Sequence, residues 1–159
     1  MSALATRRLM SEYKKIKADP SSDFITAPVS DSDLFTWNFI IKGPRGTAFE
    51  GGIYQGKIVF PPEYPTQAPD ILFSTPNGRF EVNTKICLNI TSYHNESWSF
   101  LWSARTILEA LMMFLPTPYD GGIGAINMTD EEKVNLAKQS RSWKSSDCNL
   151  ELLPDPLPM

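Results

Sequence analysis

The residues best suited to chemistry in this sequence lie between Asn83 and His94. The stretch NTKICLNI contains Cys87, one of only two cysteines in the 159-residue chain, and the only histidine follows seven residues later. A thiol reacts as its thiolate, and a nearby cation such as Lys85 favours that form. Free cysteines, however, are among the most buried residue types and are usually inert. On its residues alone, Cys87 is therefore either an apolar core residue or a nucleophile.

Other uses of these residues fit the sequence less well. A cysteine protease needs a histidine base with an orienting Asn or Asp, and a histidine seven residues after the cysteine matches no such order that we recognise. A structural zinc site requires four ligands, whereas Cys87, His94 and Cys148 supply three without CxxC spacing. The segment GPRGTAFEGG is typical of a hairpin turn and lacks the glycine order of a phosphate loop. The residues thus predict no metal and no cofactor.

The bulk composition argues against several functional classes. A net charge of −3 and a pI near 5.2 are unsuited to a general nucleic-acid binder, which needs a basic surface. No apolar run approaches the roughly 20 residues that span a bilayer, and the N-terminus lacks the apolar segment of a secretory signal. Two cysteines 61 positions apart suggest no disulfide framework, so a reducing, cytosolic environment fits best.

The apolar periodicity predicts the elements that must position these residues. Residues 3–17 have the pattern of an amphipathic helix, in which Leu9, Tyr13 and Ile16 recur at helical spacing. Four runs rich in β-branched and aromatic residues follow, separated by turn clusters: DFITAPVS, DLFTWNFII, GIYQGKIVF and DILFST. Four successive strands of this kind predict an antiparallel meander.

A long irregular segment separates the predicted sheet from the remaining helices. It extends from Pro76 to Trp102 and contains Cys87. An irregular segment of this length inside a compact domain is usually either functional or disordered. The aromatic residues in it favour a loop that folds onto the core, and the position of Cys87 in such a loop favours a reactive thiol.

Two helices are predicted after this loop. Ser103 caps the apolar segment ARTILEALMMFL, which predicts a largely buried helix. A capping box that begins at Thr129 opens a last helix that extends to about Trp143. Together these elements predict an α+β domain over residues 1–143, with helices packed on one face of the sheet. Residues 144–159 are acidic and rich in proline, which predicts a flexible tail.

Two segments of the sequence carry the pattern of a known family. KGPRGTAFEGGIYQGKIVFPPEYP is similar to the third-strand region of the ubiquitin-conjugating enzymes, and ICLNI is similar to the surroundings of their acceptor cysteine. The resemblance extends from about residue 4 to residue 143. It implies the ubiquitin-conjugating fold and a carrier that accepts ubiquitin as a thioester on Cys87 and passes it to a substrate.

The resemblance also narrows the subfamily. NGRFEVNTKICLNI, WSFLWS and FLPTPYDGGIGAINMTDEEKVNLAKQS are similar to the tail-anchored J-type enzymes of the endoplasmic reticulum, most of all to their J1 branch. Members normally end in a transmembrane helix after a long linker, which implies the cytosolic face of that membrane and a role in ER-associated degradation. Without such a helix before Met159, the chain is expected to be either an excised soluble domain or an untethered homologue.

The resemblance implies roles for three further residues near the acceptor thiol. Most family members carry His-Pro-Asn with the Asn eight residues before the cysteine, where this chain has Arg79, and Asn77 lies ten residues before it. Asn77 is therefore the counterpart expected to donate to the tetrahedral oxyanion, although Asn-Gly also favours a simple turn. J-type enzymes are associated with hydroxyl as well as amine acceptors, so His94 is hypothesised to act as a base. Asp120 lies where the family places an acidic gate residue, the alternative being an ordinary loop carboxylate.

The implied partners are ubiquitin, the activating enzyme and a RING-type ligase, with no nucleic acid. The activating enzyme is expected to dock on the basic first helix at Arg7, Arg8 and Lys14. Ligase contacts are expected at Pro62, Tyr64, Trp98, Ser99 and Phe100. In much of the family an aromatic residue follows this Tyr-Pro, whereas here it is Thr66. A catalytically inactive scaffold that binds ubiquitin or a ligase is the alternative function.

Overall fold

The computed structural model describes residues 3–86, 98–119, 121–122 and 124–142. Within these ranges the chain forms three helices and four strands, in the order α1 (Ala3–Ala18), β1 (Phe24–Ser30), β2 (Asp33–Lys42), β3 (Ile53–Val59), β4 (Asp70–Phe73), α2 (Ala104–Phe114) and α3 (Asp130–Ser140). This is the predicted α+β order. None of the described helices combines the length and the apolar character needed to cross a membrane.

Helix α1 is amphipathic, as its sequence pattern predicts. Ala5, Leu9 and Ile16 are buried, whereas the lysines between them are exposed. Glu12 lies on the same stripe, three residues after Leu9, and is also buried. A carboxylate on the core side of a helix is unusual, because a buried charge needs partners that replace its water.

The four strands form one antiparallel sheet in the order β1-β2-β3-β4, which confirms the predicted meander. Side chains alternate along a strand, so Trp37, Phe39 and Ile41 of β2 all face the core. Phe39 pairs with Gly56 of β3, where a Cβ atom would lie only 2.4 Å from the ring carbon Cζ. A glycine is therefore required at this position for the Phe39 ring to pack against the sheet.

Helices α1 and α2 both pack on β2 and close the core. The aromatic residues predicted to fold the long loop onto this core do so in part. The Phe80 ring stacks on Phe73 with centroids 5.8 Å apart, and Trp98 and Trp102 are partly buried against the core. Among the described aromatic residues of the loop Phe100 is the exception, because its side chain is 61% exposed; Tyr93 lies outside the described residues.

Both predicted caps are present. Ser103 caps α2 and Thr129 caps α3, each in a reciprocal capping box. Helix α3 ends at Ser140, earlier than the predicted end at about Trp143, which lies outside the described residues. The Ser140 hydroxyl accepts from Ile53 N of β3 at 2.8 Å, so the last turn of the helix is bonded to the sheet at this point.

Candidate active site

Three of the residues that the sequence assigns to the site lie outside the described residues: Cys87, His94 and Asp120. Their assigned roles remain predictions. The structure does describe the segments that lead to them, namely residues 74–86 and the loop between α2 and α3, called here the α2–α3 loop, of which 115–119, 121–122 and 124–129 are described.

The residue bonded to Cys87 is fixed in the core. Ile86 is fully buried, and its N–H donates to Ile71 O of β4 at 3.1 Å. Further upstream, Asn83 N donates to Phe73 O at 2.7 Å, and Val82 forms a parallel bridge with Phe73. The main chain that approaches Cys87 therefore runs along the edge of the sheet and is held by its hydrogen bonds.

Lys85, two residues before Cys87 in sequence, forms an ion pair with Asp70. Its Nζ lies 3.3 Å from Asp70 Oδ2, and its side chain is mostly exposed. Asp70 is more buried, but a pair whose lysine remains in water contributes only about 0–1 kcal/mol to stability. The positive charge of Lys85 is offset by Asp70, so its support for a thiolate at Cys87 is weaker than the sequence indicates.

Asn77 shapes the turn that precedes this segment. Its Oδ1 accepts from both Arg79 N and Phe80 N at 2.8 Å, and its Nδ2 donates to Thr75 O at 3.0 Å. Gly78 follows with φ +87°, a conformation that glycine adopts without strain. The side chain of Asn77 is 1% exposed. This geometry favours the turn-forming interpretation over the oxyanion donor, because both ends of the amide bind the main chain and almost no accessible surface remains.

Arg79 is a functional candidate that the sequence reasoning did not identify. It is 1% exposed, and its Nε donates to Thr117 O at 3.1 Å. Its Nη2 lies 3.3 Å from Thr117 Oγ1 and 3.4 Å from Pro118 O. The guanidinium carbon lies 4.5 Å from the centroid of the Phe80 ring. The available signal was an arginine directly beside an aromatic residue, at the position where the family usually has asparagine.

The end of the α2–α3 loop packs on the residues just before Cys87. Ile126 N donates to Arg79 O at 3.0 Å, and Glu81 N donates to Gly124 O at 2.8 Å. Gly124 has φ +81°, and a Cβ atom there would lie 3.1 Å from Ile86 Cγ2. The described end of the α2–α3 loop therefore meets Ile86 at Gly124.

A second described cluster joins α1 to the loops at one end of the molecule. The buried Glu12 accepts from Arg8 Nε and Tyr64 OH, both at 2.6 Å, and from Ala104 N at 2.7 Å. Arg8 Nη2 also donates to Trp102 O at 2.7 Å. Burial raises the pKa of Tyr64 well above its usual value, and the charge of Glu12 with its hydrogen bond adds to the rise. These bonds explain how a carboxylate is tolerated on the core side of α1.

Trp98 completes the connection between these loops. Its Nε1 donates to Pro65 O at 2.7 Å. Its ring lies 6.1 Å from that of Tyr64 and 5.4 Å from that of Trp102, measured between centroids. The first helix, the PPEYP loop and the loop around SWSF are therefore adjacent, as the resemblance implies for a ligase surface.

The predicted partner residues divide into an exposed set and a supporting set. The exposed set is Arg7, Lys14, Pro62 and Phe100. The supporting set is Arg8, Tyr64, Trp98 and Ser99, which are partly or fully buried. Tyr64 is only 1% exposed, so its assignment as a surface contact is corrected: it holds the loop from within through Glu12. The Arg8 side chain is likewise hydrogen-bonded to Glu12 and to the main chain of Trp102. It is therefore less available to a partner than the exposed Arg7 and Lys14.

Two exposed leucines were not among the predicted partner residues. Leu101 is 76% exposed beside Phe100, and Leu4 is 65% exposed at the start of α1. The exposure of Leu4 was predictable, since this residue lies off the buried stripe formed by Ala5 and Leu9.

Two exposed lysines of α1 line a groove between this helix and the β1–β2 hairpin. Lys14 and Lys17 lie on the helix side, and Ser30 and the acidic Asp31 lie on the hairpin side; the apolar lining residues are Leu9, Met10, Tyr13, Ala27, Pro28 and Leu34. Arg7 lies about two helical turns before Lys14, on a similar face of α1. The helix side of the groove is therefore basic, which suits an acidic partner that also presents apolar side chains.

Comparison with models of known protein families identifies the family of the chain. A family model described as "Ubiquitin-conjugating enzyme" matches residues 8–144, which is most of the chain. The chain belongs to the ubiquitin-conjugating enzyme family. The resemblance stated from the sequence is confirmed at this level.

Curated relatives point to the J type of ubiquitin-conjugating enzyme. The chain is 43% identical to human ubiquitin-conjugating enzyme E2 J1 over 155 residues, covering 98% of this chain and 48% of the relative. It is 40% identical to human E2 J2, covering 95% of this chain and 58% of the relative. Arabidopsis thaliana E2 32 is 47% identical over 137 residues, covering 86% of this chain and 44% of the relative. The chain thus spans about half the length of the curated relatives it matches.

A solved structure supports the fold. Human ubiquitin-conjugating enzyme E2 G1 is similar to this chain with a TM-score of 0.65 and 24% identity, covering 74% of this chain and 99% of the other. At this identity the likeness establishes the ubiquitin-conjugating fold alone.

Proposed function

We propose that this chain is an active ubiquitin carrier that accepts ubiquitin on Cys87 and transfers it to a substrate. The proposal rests above all on the position of Cys87 directly after Ile86, which is buried and bonded to β4, in a chain of the ubiquitin-conjugating family. A fixed main chain before the nucleophile favours reproducible placement of its sulfur, and placement to about 1 Å matters for such reactions.

The first step is a thioester exchange. The Cys87 thiolate attacks the carbonyl carbon of the thioester that joins the C-terminus of ubiquitin to the activating enzyme. A new carbon–sulfur bond forms to Cys87, the old one breaks, and the activating enzyme leaves as a thiolate. An ordinary cysteine with a pKa near 8.5 is a few per cent thiolate at pH 7, so strong acidification is unnecessary.

The second step is the transfer. A substrate amine attacks the same carbonyl carbon, a carbon–nitrogen bond forms, and Cys87 leaves as a thiolate while the amine loses a proton to a base or to water. A free lysine with a pKa of about 10.4 is almost fully protonated at pH 7. The transfer therefore depends more strongly than the loading on how the surrounding residues place the acceptor and the carbonyl group.

The proposal also assigns surfaces for the partner proteins and a location in the cell. We assign docking of the activating enzyme to the groove beside Arg7 and Lys14, and docking of a RING-type ligase to the exposed residues Pro62, Phe100 and Leu101. From the resemblance to the J type, we also propose attachment at the cytosolic face of the endoplasmic reticulum and a role in ER-associated degradation. Residues 144–159 would then begin the linker to an anchor.

Loading by the activating enzyme tests the proposal. The wild-type chain is incubated with activating enzyme, ubiquitin and ATP and run on a gel with and without reductant. We expect an adduct of one ubiquitin that reductant removes, because a thioester is cleaved by thiols. The adduct should be lost in Cys87→Ala and kept in Cys148→Ala, which removes the only other cysteine.

Two other outcomes would contradict the proposal. If no adduct forms although the chain is folded, the scaffold function is favoured. If Cys148→Ala abolishes the adduct and Cys87→Ala does not, the acceptor thiol has been assigned wrongly.

A further inference from the structure

Arg79 is a charged residue buried where a charge is costly. Removing a guanidinium from water carries a penalty of several kcal/mol unless its donors find partners. Arg79 is 1% exposed, and it lies in the segment that leads to Cys87, eight residues away in sequence. Nothing in the thioester chemistry above uses it, so its burial needs another explanation.

The side chain of Arg79 binds the first part of the α2–α3 loop. Its Nε donates to Thr117 O, and its Nη2 is within reach of Thr117 Oγ1 and Pro118 O, at distances of 3.1, 3.3 and 3.4 Å respectively. Its planar group lies over the rings of Phe80 and Phe114, with centroid distances of 4.5 and 5.6 Å. These contacts join the loop before Cys87 to the end of α2.

The main chain of Arg79 and its neighbours binds the last part of the same loop. Arg79 O accepts from Ile126 N, and Phe80 bridges to Ala125. Gly124 lies against Ile86, the residue before Cys87. Both ends of the α2–α3 loop are thus bonded to residues around Arg79, and its last part reaches the approach to the thiol.

We propose that Arg79 is a positioning residue for the transfer step, which holds the α2–α3 loop in place beside the segment that carries Cys87. The inference rests on the proposed carrier function. In the transfer, the acceptor must meet a carbonyl group placed by this chain, whereas in loading the activating enzyme also contributes to the placement. A shift of about 1 Å in the loop should therefore slow transfer by one to two orders of magnitude and leave loading nearly unchanged.

The chemistry of arginine suits this role better than that of lysine. Arginine presents five N–H donors in a rigid plane and can stack on aromatic rings, whereas lysine presents one flexible ammonium group. A lysine at position 79 could reach one of the two loop carbonyls but could not donate from two nitrogens while lying flat on Phe80. Arg79→Lys is therefore a sharp test, because it keeps the charge and removes the geometry.

The experiment separates the two steps. Each variant is charged with ubiquitin, loading is stopped by removing ATP, and discharge is followed at increasing concentrations of free lysine. For Arg79→Lys and Arg79→Gln we expect loading within about twofold of wild type and a maximal discharge rate at least tenfold lower, with little change in the lysine concentration that gives half the maximal rate. Thr117→Val, which removes one acceptor, should give a smaller loss of the same kind, and Thr117→Ser should restore discharge.

A core variant controls for general destabilisation. Ile41→Ala removes a fully buried side chain from β2, which pairs with β1 and β3 and not with β4, the strand that holds Ile86. It should lower the melting temperature at least as much as Arg79→Lys and leave the maximal discharge rate within about twofold of wild type. If Ile41→Ala slows discharge as much as Arg79→Lys, or if the Arg79 variants lose loading and discharge in equal proportion, Arg79 is structural only. If wild type does not load at all, the carrier function fails first.

Discussion

Asn77 and Arg79 lie two residues apart in the turn that precedes Cys87, and both are buried. Asn77 satisfies the main-chain N–H groups of its own turn, including that of Arg79. Arg79 extends outward from this turn to Thr117 and Pro118. Asn77 therefore fixes the conformation of the turn, and Arg79 connects the turn to the α2–α3 loop.

At this scale the sequence could predict only part of the site. Cys87 was identifiable because a cysteine is rare in this chain and its immediate neighbours match a known pattern. The environment of Asn77 was not, because an Asn-Gly dipeptide is compatible with both a turn and a donor, and three hydrogen bonds in the fold decide between them. The partners of Arg79 are 38 and 39 residues away, beyond any local pattern.

The hypothesis for His94 makes a prediction about acceptor choice. An attacking hydroxyl must lose its proton during the reaction, whereas an amine can be deprotonated beforehand, so a neutral imidazole helps the hydroxyl more. In His94→Ala we expect discharge of ubiquitin to serine to slow at least about tenfold and discharge to lysine to stay within about twofold. The two acceptors are compared on the same charged protein, so each serves as the control for the other. Equal slowing with serine and lysine would rule out a base specific for hydroxyl acceptors.

At the scale of elements, the first helix is joined to the rest of the molecule by a buried carboxylate. Glu12 accepts hydrogen bonds from the helix itself, from the PPEYP loop and from the first residue of α2. The strands, the helix starts and both caps were predictable, because periodicity and capping are local, whereas the predicted end of α3 was about three residues too late. The burial of Glu12 was not, because its partners Tyr64 and Ala104 are 52 and 92 residues away.

Two buried tyrosines, Tyr64 of this cluster and Tyr54 of β3, predict a loss of stability in alkali. Burial raises the pKa values of Tyr54 and Tyr64 in the folded state above the usual value of about 10. A group with a raised folded pKa contributes full stability below its unfolded pKa and loses it as the pH rises toward its folded pKa. The free energy of unfolding should therefore be flat up to about pH 9.5 and fall above pH 10 by about 1.4 kcal/mol per pH unit for each of the two tyrosines. Urea unfolding between pH 8 and 11 measures this slope.

Two phenylalanine variants separate the contributions. Above pH 10, Tyr54→Phe and Tyr64→Phe should each reduce the dependence of the free energy of unfolding on pH by about 1.4 kcal/mol per pH unit, which is the contribution of one proton. Tyr64→Phe should also lower stability at pH 7 by about 1–2 kcal/mol, because it removes a donor from the buried Glu12. Tyr54→Phe should lower it less, because the Tyr54 hydroxyl makes only one long bond, 3.4 Å to Phe49 O. An alkaline slope unchanged in both variants would contradict the assignment of the raised pKa values.

In the whole molecule, hydrogen bonds of Glu12, Arg8 and Trp98 hold α1, the PPEYP loop and the loop around SWSF next to one another, so that they form one surface. This surface displays Pro62, Phe100 and Leu101, while Tyr64 and Trp98 support it from below. The family resemblance named these segments, and the structure places them side by side. The sequence could not separate exposed from supporting residues, since an aromatic residue in a loop suits either position until the packing is known.

Substitutions on this surface should affect ligase-dependent transfer alone. Phe100→Ala and Leu101→Ala remove side chains that are 61% and 76% exposed, so folding should be nearly unaffected. We expect loading within twofold of wild type and ligase-stimulated discharge at least about fivefold slower, as for apolar anchor residues of an interface. Val134→Ala, a partly exposed apolar residue on α3, is the matched control and should not change either rate. A stimulated rate equal to wild type in both surface variants would place the ligase elsewhere.

The chemical nature of the bond to ubiquitin when serine replaces Cys87 tests most directly whether Cys87 is the acceptor. A serine oxygen forms an oxyester, which resists thiol reductants and is cleaved by hydroxide, and its weaker nucleophile should load at least about tenfold more slowly. If Cys87 is the acceptor, wild type gives an adduct that reductant removes, and Cys87→Ser gives one that survives reductant and disappears in mild alkali. A reductant-sensitive adduct that persists in Cys87→Ser would contradict the account.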